Sequence, residues 1–200
     1  EPVKFTLVAE HEGNVSFEFK GQSYSTAGDE EGKPFNIKFN GVKNPESSKN
    51  ITWFSNKLDN EKSLVQYALK SEYDLDENIE FIEEEGSNSA HVFSGSQDIN
   101  ENSVVNINQV VIDGLNHNEE YVYRVGNGDI WSDIKTFKTI NTDSETKLLI
   151  LGDIQTENYD GFKSDLNKIE TYGSDYDFSI QVGDFVDDAD TFSNWDGIIS

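Results

Sequence analysis

The 200-residue chain carries 39 acidic against 15 basic residues, a formal net charge of −24, with Arg124 as its single arginine. Such a surface repels phosphate backbones, which argues against nucleic acid as a stable partner, and it attracts cations. Without cysteine there is neither a disulfide framework nor a thiolate metal site, and no apolar run approaches the roughly 20 residues of a membrane span.

A chain of this length that is 34% apolar buries one or two cores. It starts at Glu1 without methionine or a signal peptide, so the expectation is that a leader or upstream region has been removed. The absence of cysteine is compatible with a secreted bacterial protein, and the expected location is extracellular or on the cell surface.

In chain order, residues 1–33 read as an N-terminal extension. Val3-Phe5-Leu7 and Val15-Phe17-Phe19 alternate around His11-Glu12-Gly13-Asn14, a β-hairpin signature, and residues 27–34 read as a linker. From Phe35 the alternation resumes in short bursts at Phe35-Ile37-Phe39, Ile51-Trp53, Leu64 to Leu69, Ile79-Phe81, Ala90-Val92, Val104 to Ile107, Val110-Ile112, Tyr121-Tyr123-Val125 and Ile134 to Phe137. Many short strands separated by turn signals predict an antiparallel β-sandwich over residues 34–140. Glu83-Glu84-Glu85-Gly86 reads as a solvated loop between strands. His11, His91 and His117 fall in turns or at a strand edge of this β region and are weak ligand candidates.

Gly114-Leu115, followed by Tyr121 and Tyr123-Arg124-Val125-Gly126, has the spacing of a tyrosine corner, whose hydroxyl ties back to upstream backbone. With Trp53-Phe54-Ser55, Val65-Gln66-Tyr67 and Trp131-Ser132, the stretch resembles a fibronectin type III-like domain, in particular the N-terminal domain of purple acid phosphatases.

After the polar stretch Asn141 to Thr146 the pattern changes. Leu148-Leu149-Ile150-Leu151 and Phe178-Ser179-Ile180-Gln181-Val182 are continuous apolar runs of the kind buried on both faces in parallel sheets, and each runs into Gly-Asp. Between them Tyr159, Phe162, Leu166 and Ile169 mark one face of an amphipathic helix. The result is a strand–helix–strand unit, right-handed by the crossover rule. Parallel order puts both strand C-termini on one edge, where open α/β sheets place ligands, so Asp153 and Asp184 become neighbours. Two carboxylates there repel unless a cation lies between them. Gly-Asp after a strand is also ordinary turn and helix-capping chemistry.

Leu151-Gly152-Asp153-Ile154-Gln155 and Val182-Gly183-Asp184-Phe185-Val186-Asp187-Asp188-Ala189 resemble the first two metal motifs of calcineurin-like metallophosphoesterases, specifically the purple acid phosphatase-like branch. The resemblance covers roughly residues 35 to 200. It implies that Asp153 is a terminal metal ligand and Asp184 bridges two divalent or trivalent metal ions of the Fe, Zn or Mn type. Gln155 stands where the wider superfamily has a histidine, and either offers a carbonyl oxygen or orients a water. Asp187 stands where purple acid phosphatases carry a tyrosine, so no tyrosinate–iron colour is expected; both residues are candidates for an unusual inner or an outer shell.

The expected fold is therefore an all-β, fibronectin type III-like sandwich followed by the first βαβ part of an α/β metallophosphoesterase domain over residues 146–200. A helix starts near Thr191. The Gly-Asn-His-[Glu/Asp] turn and later histidines of the resembled family are not in these residues, so the sequence reads as the N-terminal portion of a longer protein. The implied activity is phosphoric ester hydrolysis, of acid phosphatase or phosphodiesterase type, by in-line attack of metal-activated hydroxide, with a phosphate ester as substrate and 200 residues alone turning over poorly. The rival readings are a non-catalytic extracellular binding module and a degenerate phosphoesterase.

Overall fold

A computed structural model describes residues 16–19, 22–26, 32–56, 62–93, 103–156, 158–171 and 176–199. The elements in order are β1 (Ser16–Phe19), β2 (Gln22–Thr26), β3 (Phe35–Asn40), β4 (Lys49–Ser55), β5 (Leu64–Leu69), α1 (Lys70–Tyr73), β6 (Ile82–Glu85), β7 (Ser87–Phe93), β8 (Ser103–Ile112), β9 (Glu120–Gly126), β10 (Lys135–Lys138), β11 (Leu148–Gly152), α2 (Tyr159–Glu170), β12 (Phe178–Val182) and α3 (Phe192–Ile199). The chain divides into two compact units, the first of residues 1–92 and 102–141 and the second of residues 93–101 and 142–200.

The first unit is built from two sheets, one ordered β1-β2-β8-β4-β3 with β7 also on β8, the other ordered β10-β9-β5-β6. β-branched and aromatic residues at alternate positions explain the pairing. In β4, Ile51, Trp53 and Ser55 are buried while their neighbours are partly exposed. Ile51 and Trp53, with Val110 and Ile112 of β8, share one core cluster with Val65, Tyr67, Tyr121, Tyr123 and Val125 from the second sheet. Each such side chain taken out of water contributes about 1.5–3 kcal/mol.

The tyrosine corner forms as its spacing predicts. The Asn116 N–H donates to the Tyr121 hydroxyl oxygen at 2.9 Å, and Leu115, after Gly114 at φ +76°, is buried in the core.

Two local readings change, and a third falls largely outside the described residues. The two bursts Val104 to Ile107 and Val110 to Ile112 are one strand, β8, because Asn108 between them is buried and bonded. The Asn108 amide donates to the Ser55 hydroxyl (3.1 Å) and accepts from the Ser63 hydroxyl (2.9 Å), so polar side chains sit in the interior without breaking the strand. The hairpin seen in the described residues is β1–β2, pairing Phe17 with Tyr24 and Phe19 with Gln22, and β2 meets β8 in parallel at Ser25↔Ser103 and Thr26↔Val104. Val3 to Asn14, including His11, and the linker residues 27–31 lie outside the described residues.

Glu83 to Glu85 is an edge strand, not a loop. β6 pairs β5 on one side, with Glu83 opposite Gln66 and Glu85 opposite Leu64. The Gln66 amide donates to Glu83 (2.8 Å) and Lys62 pairs with Glu85 (3.3 Å). Charged side chains on an edge keep it from recruiting another chain. Gly86 then passes the chain from this sheet to the other, since β7 pairs with β8. A Cβ at Gly86 would collide with the Gln109 carbonyl.

In the second unit β11 and β12 pair in parallel, from Leu148↔Phe178 to Gly152↔Val182, and α2 links them. Asn158 caps α2, its side-chain oxygen accepting from the Gly161 N–H at 3.0 Å. The two-faced burial expected of such strands is not realised. Ile150 is 62% and Val182 52% exposed, because a two-stranded sheet has no flanking strands and no layer among the described residues covers this face. α3 packs its Gly197 on the Tyr159 ring of α2, where a Cβ would meet ring carbons at 2.6 Å. No described helix is long and apolar enough to cross a membrane.

Candidate functional site

Parallel register decides what happens at the ends of β11 and β12. Because Gly152 is opposite Val182, the next residue of each strand enters its turn at the same level, Asp153 beside Gly183. The Asp153 N–H donates to the Val182 carbonyl at 3.2 Å, and the Gln155 N–H donates to the Asp184 carbonyl at 3.2 Å. These two bonds carry the ladder past the strands and lock the two Gly-Asp turns side by side.

The local backbone is unusual at both turns. Asp153 has φ +52° and Gly183 φ +110°. The left-handed region costs a non-glycine residue about 1 kcal/mol or more, and Asp is among the side chains that tolerate it. Gly183 needs its missing side chain, since a Cβ would lie 2.9 Å from the Asp153 nitrogen. The other end of the sheet is also fastened: the Asp177 carboxylate accepts from the Lys147 N–H (2.8 Å), and the Asp177 N–H donates back to the Lys147 carbonyl (2.9 Å).

Asp153 and Asp184 are both exposed on this edge. Gln155 is exposed too, and its main chain rather than its side chain makes the described link. Asp187 is exposed on the connection to α3. Asp188 is occupied differently: its carboxylate accepts from the Asp190 N–H (2.9 Å) and the Thr191 hydroxyl (3.0 Å), while its own N–H donates to the Asn194 side chain (3.1 Å). That is capping chemistry at the start of α3, and it anchors the turn that follows Asp184. Phe185 and Trp195 add a ring contact at 5.7 Å. Of the three histidines, His91 is exposed on β7 and His117 lies in the Asn116 to Glu119 turn, both in the first unit.

The donor set at this edge is two carboxylates, hard oxygens suited to a divalent or trivalent cation. Among the described residues no group of three or more His, Cys, Asp or Glu converges to hold a metal ion. Asp153 and Asp184 are two hard oxygen donors on one edge, fewer than a metal shell needs. Gln181 of β12 also belongs to this neighbourhood. Its amide nitrogen reaches the Asp184 carbonyl at 3.5 Å. Gln181 and Ser179 are the polar residues of that strand.

The family model described as purple acid phosphatase, N-terminal domain, matches residues 34–139. The chain belongs to the purple acid phosphatase family through this domain. No curated protein matches the chain. Among solved structures it is similar to a computationally redesigned β-sandwich protein, at 20% identity over 55% of this chain and 96% of that one, with a TM-score of 0.34. A myokine matches at 17% identity over 56% and 99%, with a TM-score of 0.33. The sensor domain of the anti-sigma factor RsgI4 in Pseudobacteroides cellulosolvens matches at 17% over 56% and 94%, with a TM-score of 0.31. The matched purple acid phosphatase domain ends one residue after Lys138 of β10, so the paired Gly-Asp turns lie wholly in the residues that follow it.

Proposed function

We propose that the protein is a metal-dependent phosphoric ester hydrolase in which Asp153 and Asp184 are metal ligands and β11–α2–β12 opens the catalytic domain. The observation that carries this reading is the coupling of the two Gly-Asp turns, through Asp153 N–H to Val182 and Gln155 N–H to Asp184, directly downstream of a purple acid phosphatase N-terminal domain.

Two metal ions bound there would supply Lewis-acid charge to the phosphoryl group. The chain's own residues do the positioning. Gly183 lets the two turns approach, the left-handed backbone at Asp153 turns the chain out of β11, and Asp188 holds the turn beyond Asp184. Arg124, the single arginine, is committed elsewhere: its guanidinium donates twice to the Gln66 side-chain oxygen Oε1 (2.9 and 2.7 Å) and lies over the Trp131 and Phe81 rings. These residues thus offer no free arginine clamp for phosphate, in keeping with a reading in which metal binds it. Gln155 and Asp187 border the site, and an acidic, cysteine-free chain is in keeping with an extracellular or cell-surface setting.

The test is hydrolysis of p-nitrophenyl phosphate by the full-length gene product, with Fe, Zn or Mn supplied or removed by chelation. The reading expects metal-dependent turnover that Asp184→Asn abolishes while the fold is retained. Turnover indifferent to chelation and to that substitution would sink it. Residues 1–200 taken alone, with two ligands among the described residues, are expected to hydrolyse the ester poorly.

A further inference from the structure

The sequence contains two Asn-Gly pairs, Asn40-Gly41 and Asn127-Gly128. Asparagine before glycine is open to attack by its own chain, because glycine has no side chain to keep its main-chain nitrogen away from the asparagine carboxamide carbon. Both pairs lie in the β-sandwich, and the fold holds them in opposite ways.

Asn127 is fixed through its side chain and its main chain. Its Oδ1 accepts from the Asp129 N–H (3.0 Å) and the Ile130 N–H (2.7 Å), and its own N–H donates to the Ile130 carbonyl (3.2 Å). An asparagine that ties down its own loop in this way cannot turn its carboxamide to the Gly128 nitrogen without breaking both bonds to Oδ1. Asn40 is the last residue of β3, the outermost strand of its sheet, and both Asn40 and Gly41 are exposed. One surface bond holds its carboxamide, from Nδ2 to the Thr52 hydroxyl at 2.8 Å. No atom lies within 4 Å of the place where Gly41 would carry a Cβ. The end of an edge strand opens at little cost, so Asn40 can leave its pairing with Asn50 while the rest of β3 stays on β4.

We propose that Asn40 is a self-modification site of the sandwich, converted to aspartate and isoaspartate while Asn127 is protected. The Gly41 nitrogen gives up its proton and attacks Cγ of Asn40; a C–N bond forms, the Cγ–Nδ2 bond breaks, and Nδ2 leaves as ammonia with the proton. The cyclic imide then takes up one water, which opens it at either carbonyl. One opening gives aspartate, and the other gives isoaspartate, whose main chain runs through the side-chain carbon. Aspartate keeps the local contact, since the Thr52 hydroxyl that accepted from the amide can donate to a carboxylate. Isoaspartate inserts a carbon into the main chain where β3 ends opposite Asn50, so that last pair is lost. The proposal is independent of the metal reading of Asp153 and Asp184.

The experiment ages the folded chain, and a sample unfolded in urea, at mildly alkaline pH. Trypsin then releases Phe39 to Lys43 and Val125 to Lys135, and mass spectrometry with chromatographic separation of the isoaspartyl form follows each. The urea sample gives the rate each pair has without the fold. In the folded chain the proposal expects Asn40 to convert about tenfold faster than Asn127, the protection that one or two hydrogen bonds give. Gly41→Ala, whose added carbon meets open space, is expected to slow conversion at Asn40 severalfold and leave Asn127 as it was. Equal rates at the two positions in the folded chain would overturn the proposal. So would an Asn40 that converts in urea and stays intact in the folded chain, since the strand end would then be holding it.

Discussion

Gly183, at φ +110°, stands against Asp153, itself at φ +52°, so closely that a methyl group on Gly183 would lie 2.9 Å from the Asp153 main-chain nitrogen. Two left-handed residues on neighbouring strands make one close-packed double turn. Gly183→Ala adds both a clash and an unfavourable φ, and is expected to cost about 1–3 kcal/mol. The expected signature is local: faster hydrogen exchange at Asp153 and Gln155, whose N–H groups bridge the turns, with the β-sandwich amides unchanged. Unchanged exchange at both positions would mean that the turns are not coupled in this way.

A second glycine controls the sandwich. Gly86 is where the chain leaves β6 in one sheet and enters β7 in the other, with the Gln109 carbonyl in the space a side chain would fill. Gly86→Ala should therefore destabilise by about 3 kcal/mol, at the upper end of ordinary overpacking. The drop would be seen as a lowered urea midpoint, whereas Gly41→Ala, where no atom lies within 4 Å of the added carbon, serves as the neutral comparison.

Tyr121→Phe deletes the hydroxyl that accepts from the Asn116 N–H. The ring stays stacked on Phe137, with centroids 5.3 Å apart, so the loss is that of one hydrogen bond, about 1 kcal/mol. Calorimetry of the two proteins measures it, and equal transition temperatures would show that the corner contributes nothing.

Alkaline pH should loosen the sandwich before it affects anything else in the core. Burial pushes the Tyr123 hydroxyl up to about 12. Tyr67 is also raised, first by burial and then by the nearby charges of Glu84 and Tyr121. An unfolded tyrosine ionises near 10, so between about pH 10 and 12 the unfolded chain gives up protons that the folded one keeps. Stability from this source is whole below about pH 10 and is lost as pH rises through that window. Urea midpoints taken from pH 9 to 12 should fall, and Tyr123→Phe should fall less steeply than wild type.

The sandwich is legible in the sequence because inner strands alternate against water, as Ile51-Thr52-Trp53 does, and because the Gly114 to Tyr121 spacing has one local geometry to satisfy. The parallel pair is legible from Gly152-Asp153 and Gly183-Asp184, where two similar runs end alike. What escapes is what depends on a partner. Glu83 to Glu85 resemble a loop by charge, and only pairing with Leu64 to Tyr67 makes them a strand. Asn108 and Gln109 read as an interruption of β8 until Ser55 and Ser63 are seen to satisfy Asn108. Asp188 looks like one more acid beside Asp187, yet its oxygens are spent on Asp190 and Thr191. Gln181, like Ser179, passes for a polar interruption of the run because the Asp184 carbonyl it faces is created by the turn.

The most direct test of the account is whether Asp153 and Asp184 hold a cation. Mn²⁺ titrated into the folded chain should broaden the amides around Gly152-Asp153 and Gly183-Asp184 at lower concentration than those of the acidic edge Glu83 to Glu85, and Asp184→Asn should remove the preference. Broadening that follows surface charge alone, strongest at Glu83 to Glu85 and identical in Asp184→Asn, would contradict it.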